Sequence, residues 1–284
     1  MQTFTNQASL SYNDVTVNSN VTVGEIRATM SMTKTALRDE YAADDTVTYV
    51  ISIVNSGTTA LNGLTMTDDL GGYDVAAQTR YPLTYQEGSL RYYVNGVLQT
   101  TPTITGTAPL TVTGISVPAG GNAILIYEAQ ANAYAPLGEA GSILNTAALS
   151  GTGLGNELTA AETITPVLGP ELSITKSLSP TSIAENGQVT YTFLIQNVGN
   201  EAAVAADNVV MSDTFVPALS GLTATLNGVV LTPATDYTYD EATGQFATVA
   251  GVITVPAATF TQDAATGLWS TTPGTAVLVV TGTI

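Results

Sequence analysis

Residues 30–55 read MSMTKTALRDEYAADDTVTYVISIVN, and residues 172–197 read LSITKSLSPTSIAENGQVTYTFLIQN. The two stretches are copies of one pattern. Each opens on an apolar-x-apolar-Thr-Lys segment and ends in Val-Thr-Tyr, an alternating run and Asn. The runs TVTYVISIV and QVTYTFLIQ alternate with period two, are rich in β-branched residues, and stop at the turn signals NSG and NVGN. That is the signature of half-buried strands. No helical period competes with it.

The repeat extends on both sides. LTMTDDL (64–70) matches VVMSDTF (209–215), and NGV recurs at 95–97 and 227–229. ISVPAG (115–120) matches ITVPAA (253–258), and GNAILIYEAQA (121–131) matches GTAVLVVTGTI (274–284). A period of this kind decides architecture, and many short strands with frequent turns point to sandwiches. The reading is all-β: two tandem immunoglobulin-like β-sandwich domains plus an N-terminal donor β-hairpin. A length of 284 residues fits about two domains.

The first copy continues where the second stops, through ILNTAALSGTGLGNELTAAETI (143–164), which reads as a closing hairpin. A similar layout stands at the other end of the chain, in FTNQASLSYNDVTVNSNVTVGEI (4–26). The expected boundaries are 1–26 for the hairpin, 27–168 for a complete first sandwich, and 169–284 for a second one that lacks its closing strands. Phe4, Asn6, Ala8 and Leu10 fall on one face of the hairpin. Val15 and Val17, then Val21 and Val23, alternate likewise, so the segment is expected to be half-buried.

Three placements are open for it. It could be a leader without structure, or an extra strand on the first sandwich. It could close the second sandwich of its own chain, but a domain is roughly 30 Å across and one or two linking residues reach only about 3.3 Å each. It could complete the second sandwich of another copy. Such a contact is head-to-tail, does not close on itself and generates a filament.

Composition narrows the functions. Six Lys and Arg against 23 Asp and Glu give a net charge of −17. That disfavours nucleic acid, whose phosphates need cations, and anionic membrane surfaces. Without Cys there is no disulfide or zinc-thiolate chemistry, and without His there is no Ser–His–Asp triad. Asp68 and Asp69 are strand neighbours pointing to opposite faces, which argues against a glycosidase pair. The acidic clusters Asp39, Glu40, Asp44, Asp45 and Asp236, Asp240, Glu241 match no calcium-loop spacing and read as solvated loops. Tyr49 and Tyr191 read as core, and Trp269 as a loop-packing residue. No cofactor, metal or enzymatic activity is expected, beyond an autocatalytic cross-link. No apolar run has the length of a membrane span, and no signal peptide or anchor is visible.

The only two lysines, Lys34 and Lys176, hold the same place in the two copies. Alternation puts Lys34 on the face of Met30 and Met32, and Lys176 on that of Leu172 and Ile174. Asp68 shares a face with Leu64 and Met66, and Asp213 with Val209 and Met211. Asn145 lies with Ile143, Ala147 and Leu149, and its hairpin counterpart is Asn6. All are expected to point inward, where an unpaired charge costs several kcal/mol.

Two resemblances follow from these residues. The pattern apolar-x-apolar-T-K … V-T-Y … N-x-G … (T/S)-D … N-x-A resembles a conserved repeat domain of unknown function, found in tandem in bacterial, largely Gram-positive, surface proteins. Lys, Asp and Asn converging inside such a sandwich resembles the self-forming isopeptide bonds of Gram-positive pilins and adhesins. The resemblance implies an extracellular, cell-surface or spore-surface filament of identical subunits. It also implies an internal Lys34–Asn145 bond assisted by Asp68, and an intersubunit Lys176–Asn6 bond assisted by Asp213. The alternatives are a plain buried Lys–Asp ion pair, and a monomeric adhesin, carbohydrate-binding or spacer module.

Overall fold

The computed structural model describes residues 2–26, 29–184 and 186–284. Apart from one 3-10 turn at Ala205–Asp207, the described residues hold strands, turns and loops. Two separate hydrophobic cores organise the chain.

In the first sandwich, the Thr46–Asn55 strand buries Val47, Tyr49, Ile51 and Ile53 and turns the residues between them outward. Period-two alternation produces this directly, and each fully buried large side chain contributes about 1.5–3 kcal/mol. That strand lies between Asn122–Ala131 and Met30–Ala36 in one six-stranded sheet. The facing sheet runs Thr103–Thr107, Leu110–Val117, Leu61–Asp68, Ile143–Ser150, Leu158–Pro166, with Glu40–Tyr41 added in parallel at the edge. The last long strand lies against Met30–Ala36 of the other sheet, so the 143–166 hairpin seals the seam between the two layers.

The second sandwich repeats half of this plan. Leu172–Ser179, Gln188–Asn197, Gly274–Thr283, Ser220–Leu226 and Val229–Val230 form one sheet. The facing sheet has three strands, with Ser212–Thr214 paired to Gln245–Thr248 on one side. Its other side is the edge at which the Asn145 strand pairs in the first sandwich. Among the described residues no strand occupies it. The seam is therefore open: Leu172, Ile174 and Leu178 are 38%, 52% and 38% exposed.

The N-terminal segment is a free-standing hairpin. Gln2–Asn6 pairs with Thr22–Ile26, and Ser9–Tyr12 with Val15–Asn18. Asn13 and Asp14 turn it with φ of 43° and 62°, the left-handed pair that a two-residue hairpin requires. Gly24 lies under the Phe4 ring, where a Cβ would come within 2.3 Å of the ring. The hydrogen bonds described for residues 4–24 close within the hairpin. Phe4, Leu10, Tyr12, Val15, Val17, Val21 and Val23 are all 45% exposed or more.

Residues 259–273 have no counterpart in the first copy. They form a second hairpin, Thr259–Gln262 with Trp269–Thr272, that reaches back to the first sandwich. There Trp269 N donates to Ala133 O at 3.0 Å, and Gln262 Nε2 donates to the Tyr73 hydroxyl at 2.8 Å. Gly267 turns this strap with φ +79° against Val75 and Arg80, where no side chain would fit. Trp269 thus packs between the sandwiches rather than within a loop, lining a cleft with Tyr73, Pro82 and Pro136. Asn200 adds a second tie, its Nδ2 donating at 2.9 Å to both Leu137 O and Val167 O.

Candidate functional site

Lys34, Asp68 and Asn145 meet in the first core. Lys34 enters from the edge strand of one sheet; Asp68 and Asn145 come from neighbouring strands of the other, where Ala147 stands opposite Asp68. The Lys34 Nζ donates to Asp68 Oδ2 at 2.6 Å, and both side chains are fully shielded from solvent. The Tyr127 hydroxyl donates to the same Oδ2 at 2.6 Å, and Leu70 N to Oδ1 at 3.1 Å. Asn145 Nδ2 donates to the Tyr127 hydroxyl at 3.3 Å. Asn145 Oδ1 and the neighbouring Tyr49 hydroxyl are both buried without a hydrogen-bond partner.

Burial dominates the electrostatics. It pushes the Asp68 carboxyl above its ordinary value, against the opposing pull of Lys34 and Tyr127. It pushes the Lys34 ammonium below its ordinary value, against the pull of Asp68. Both shifts favour the neutral forms, an amine beside a carboxylic acid. A neutral amine is a nucleophile, a carboxylic acid can polarise a carboxamide, and the Asn145 carboxamide lies within the same network.

One test follows from the signs. In Lys34→Met the buried Asp68 loses its cation, so its folded pKa stays above the unfolded value. The native state then holds a proton that the unfolded chain releases. Stability should be greatest in acid and fall as pH rises above the ordinary carboxylate value of 3.8, with a loss of about 3–5 kcal/mol near neutrality. Lys34→Met with Asp68→Leu should remove the slope and recover most of the loss. Urea midpoints across pH check this, and a flat profile for Lys34→Met would refute it.

The second sandwich keeps the pair but not its surroundings. Lys176 contacts Asp213, yet the lysine side chain is 40% exposed and the aspartate 20%. The expectation of a buried Lys176 is thus not met in the single chain. The face it occupies is the open seam, and the strands that shield Lys34 have no equivalent there among the described residues. The Lys176 Nζ stands 4.6 Å from the Tyr191 ring centroid, 5.3 Å from Phe215 and 5.4 Å from Phe193. A surface groove crosses the three strands of the facing sheet, lined by Ser212, Thr214, Thr238, Gln245 and Ala247 with Asp213 and Phe246.

Asn6 lies in the hairpin, paired with Thr22, and among the described residues no hydrogen bond joins it to either lysine. Leu10 stands opposite Val17 and Tyr12 opposite Val15, so these share a face. Val23 stands opposite Thr5, and so points away from the face of Phe4 and Asn6. Val21 lies outside the paired strands, in the break between the two ladders. The alternation of single strands does not contain that break, so Val21 and Val23, expected to share a face with each other, do not both lie in a paired strand.

Two features escaped the sequence reading. Tyr127 links Asp68 to Asn145, and its repeat partner is Val280; a polar-for-apolar difference at an inward position was the available signal. Asn55 and Asn197, at matching places, are buried latches. Each Oδ1 accepts from the glycine two residues on, and each Nδ2 donates to two backbone carbonyls.

No protein-family model matches the chain, and no curated protein matches it significantly. Similar solved structures include the pilus backbone of Streptococcus pneumoniae, 14% identical over 87% of this chain and 55% of that one, with a TM-score of 0.36. The major pilin subunit of Bacillus cereus is 14% identical over 96% of this chain and 73% of that one, with a TM-score of 0.36. The C-terminal fragment of the major pilin of Streptococcus agalactiae is 11% identical over 78% and 79%, with a TM-score of 0.34. The chain thus spans about half the length of the pneumococcal protein, and likeness at these scores carries no argument about activity. Among the described residues no helix is long and apolar enough to cross a membrane.

Proposed function

We propose that the chain is a structural subunit of a surface filament, polymerising head to tail as the N-terminal hairpin of one copy closes the second sandwich of the next. One observation carries this reading: an unpartnered hairpin and an unsealed seam with matching residues coexist in one chain. The segment NQASLS (6–11) corresponds to NTAALS (145–150), the strand that seals the first sandwich. Its apolar side chains are exposed, and so are those of the seam.

The register follows from the first sandwich. There Ala147 faces Asp68 and Leu149 faces Met66. Transferring the repeat puts Ala8 opposite Asp213 and Leu10 opposite Met211, with Asn6 near Lys176. Main-chain pairing at an open edge supplies affinity, and buried side chains supply specificity. The open edge is otherwise an aggregation hazard.

In the same reading Lys34 and Asn145 join by an amide bond inside each subunit, with Asp68 as the assisting acid. The amine attacks the carboxamide carbon, the C–N bond to the leaving nitrogen breaks, and ammonia departs. Asp68 ends protonated, so no charge remains buried.

Electron microscopy of the purified full chain, with intact-mass measurement of the subunit, tests both parts. Filaments are expected, built of subunits lighter by at least one ammonia. Monodisperse single copies at high concentration would refute the assembly. An unmodified mass would leave an ion pair in place of the internal bond.

A further inference from the structure

We infer that Tyr127 is a catalytic proton donor for the internal cross-link, and that its absence from the second sandwich makes the intersubunit site the slower of the two. The inference rests on the cross-linking reading above and concerns how the proton reaches the leaving group.

The obstacle in amide exchange is the leaving nitrogen, which departs only after gaining a proton. The proton that Lys34 gives up goes to Asp68, the carboxylate it touches at 2.6 Å. No direct hydrogen bond runs from Asp68 to the Asn145 nitrogen. The Tyr127 hydroxyl spans the gap, 2.6 Å from Asp68 Oδ2 and 3.3 Å from Asn145 Nδ2. It is the one group in the network that touches both.

The step balances through this hydroxyl. Lys34 Nζ loses a proton to Asp68 and attacks Asn145 Cγ. The tetrahedral intermediate then carries the former amide nitrogen beside Tyr127. Tyr127 donates its O–H proton to that nitrogen while taking the Asp68 proton, and ammonia leaves. The new amide nitrogen sheds its surplus proton to Asp68. The reactants are an ammonium, a carboxylate and a carboxamide; the products are an amide, a carboxylic acid and ammonia. No oxidant or co-reactant enters. Burial holds the Tyr127 phenol well above its ordinary pKa, with Asp68 reinforcing the effect. It therefore acts as a relay that is refilled from Asp68 rather than as a free acid.

The second sandwich carries Val280 where the first carries Tyr127. Val280 is fully buried, so the position faces inward in both copies, and the second copy lacks both the ring and the hydroxyl that Tyr127 supplies. Leu70 and Ile51 are replaced by Phe215 and Phe193, whose rings face the Lys176 ammonium. The second site thus has an amine, an acid and aromatic faces, but no relay. The internal bond should form during folding, and the intersubunit bond only after subunits have docked.

The experiment follows ammonia loss by intact mass during cell-free synthesis of the full chain, for wild type, Tyr127→Phe and Asn145→Ala. Tyr127→Phe keeps the ring and should slow the internal loss about 10²-fold, the lower end of what a positioned proton donor contributes. Asn145→Ala should not react at this site. A wild-type rate in Tyr127→Phe overturns the relay while leaving the cross-link standing. Wild type that never loses ammonia there overturns both. Should Tyr127→Phe fold poorly, 3,5-difluorotyrosine at 127 keeps the hydroxyl and makes it more acidic. Faster loss is then expected, and an unchanged rate overturns the relay, since a merely structural hydroxyl would not respond to its own acidity.

Discussion

Deleting residues 1–26 should abolish filaments altogether while both cores stay folded, because no described contact in either core comes from the hairpin. The truncated chain keeps its open edge at Ser212–Thr214 and should remain single or aggregate without order. A synthetic peptide of residues 1–26 should then bind it and raise its melting temperature, since a ligand that binds only the native state stabilises it by mass action. The same peptide added to the full chain should shorten filaments by capping. Leu10→Cys with Met211→Cys sharpens the result. The chain has no other cysteine, and residues directly opposite across strands have Cβ atoms about 4.5–5.5 Å apart. Oxidation should link each subunit to its neighbour. Ordered filaments from the truncated chain, or no linkage from the cysteine pair, would sink the strand exchange.

Wild-type filaments boiled in detergent should run as a ladder of covalent multimers. Asn6→Ala and Lys176→Ala filaments should assemble and then fall to monomer on boiling. The intersubunit bond needs Asn6 of one copy against Lys176 and Asp213 of another. Docking would also bury a pair now 40% and 20% exposed, and burial is what favours the neutral amine. The ladder should therefore appear after assembly rather than with it, with a lag set by the missing relay at Val280. Wild-type filaments that boil to monomer would exclude this bond while leaving the docking intact.

Much of this was legible in the sequence because strand alternation is a local rule. The run TVTYVISIV reads as a half-buried strand with Tyr49 in the core, and its alternate residues Val47, Tyr49, Ile51 and Ile53 are buried. The same rule brought Lys34, Asp68 and Asn145 together from three distant segments, since each sits on the apolar face of its own strand. The rule failed where facing depends on what lies across the sheet. Lys176 is on the inner face of its strand, but among the described residues no closing strand seals that face. Val21 and Val23 alternate along the chain, yet Val21 falls in the break between the two ladders of the hairpin, and Val23 alone is paired, opposite Thr5. Tyr127 went unnoticed because an inward tyrosine in a strand looks like core, and only its hydroxyl partners distinguish it. The strap at 259–273 is visible as an insertion, but sequence does not say which surface it reaches.

That strap has a mechanical consequence. A linker alone, such as residues 167–171, is a universal joint: it lets two rigid bodies swing in any direction. Asn200 sits at that linker, holding Leu137 and Val167, and the ties at Gln262–Tyr73 and Trp269–Ala133 add a second attachment. A body pinned at two separated points can swing only about the line through both. The joint becomes a hinge with one soft plane, and bending across that plane must stretch or break the strap. A rod made of such units would bend easily in one direction and resist in the other, its curvature steered by an insertion that the first copy lacks.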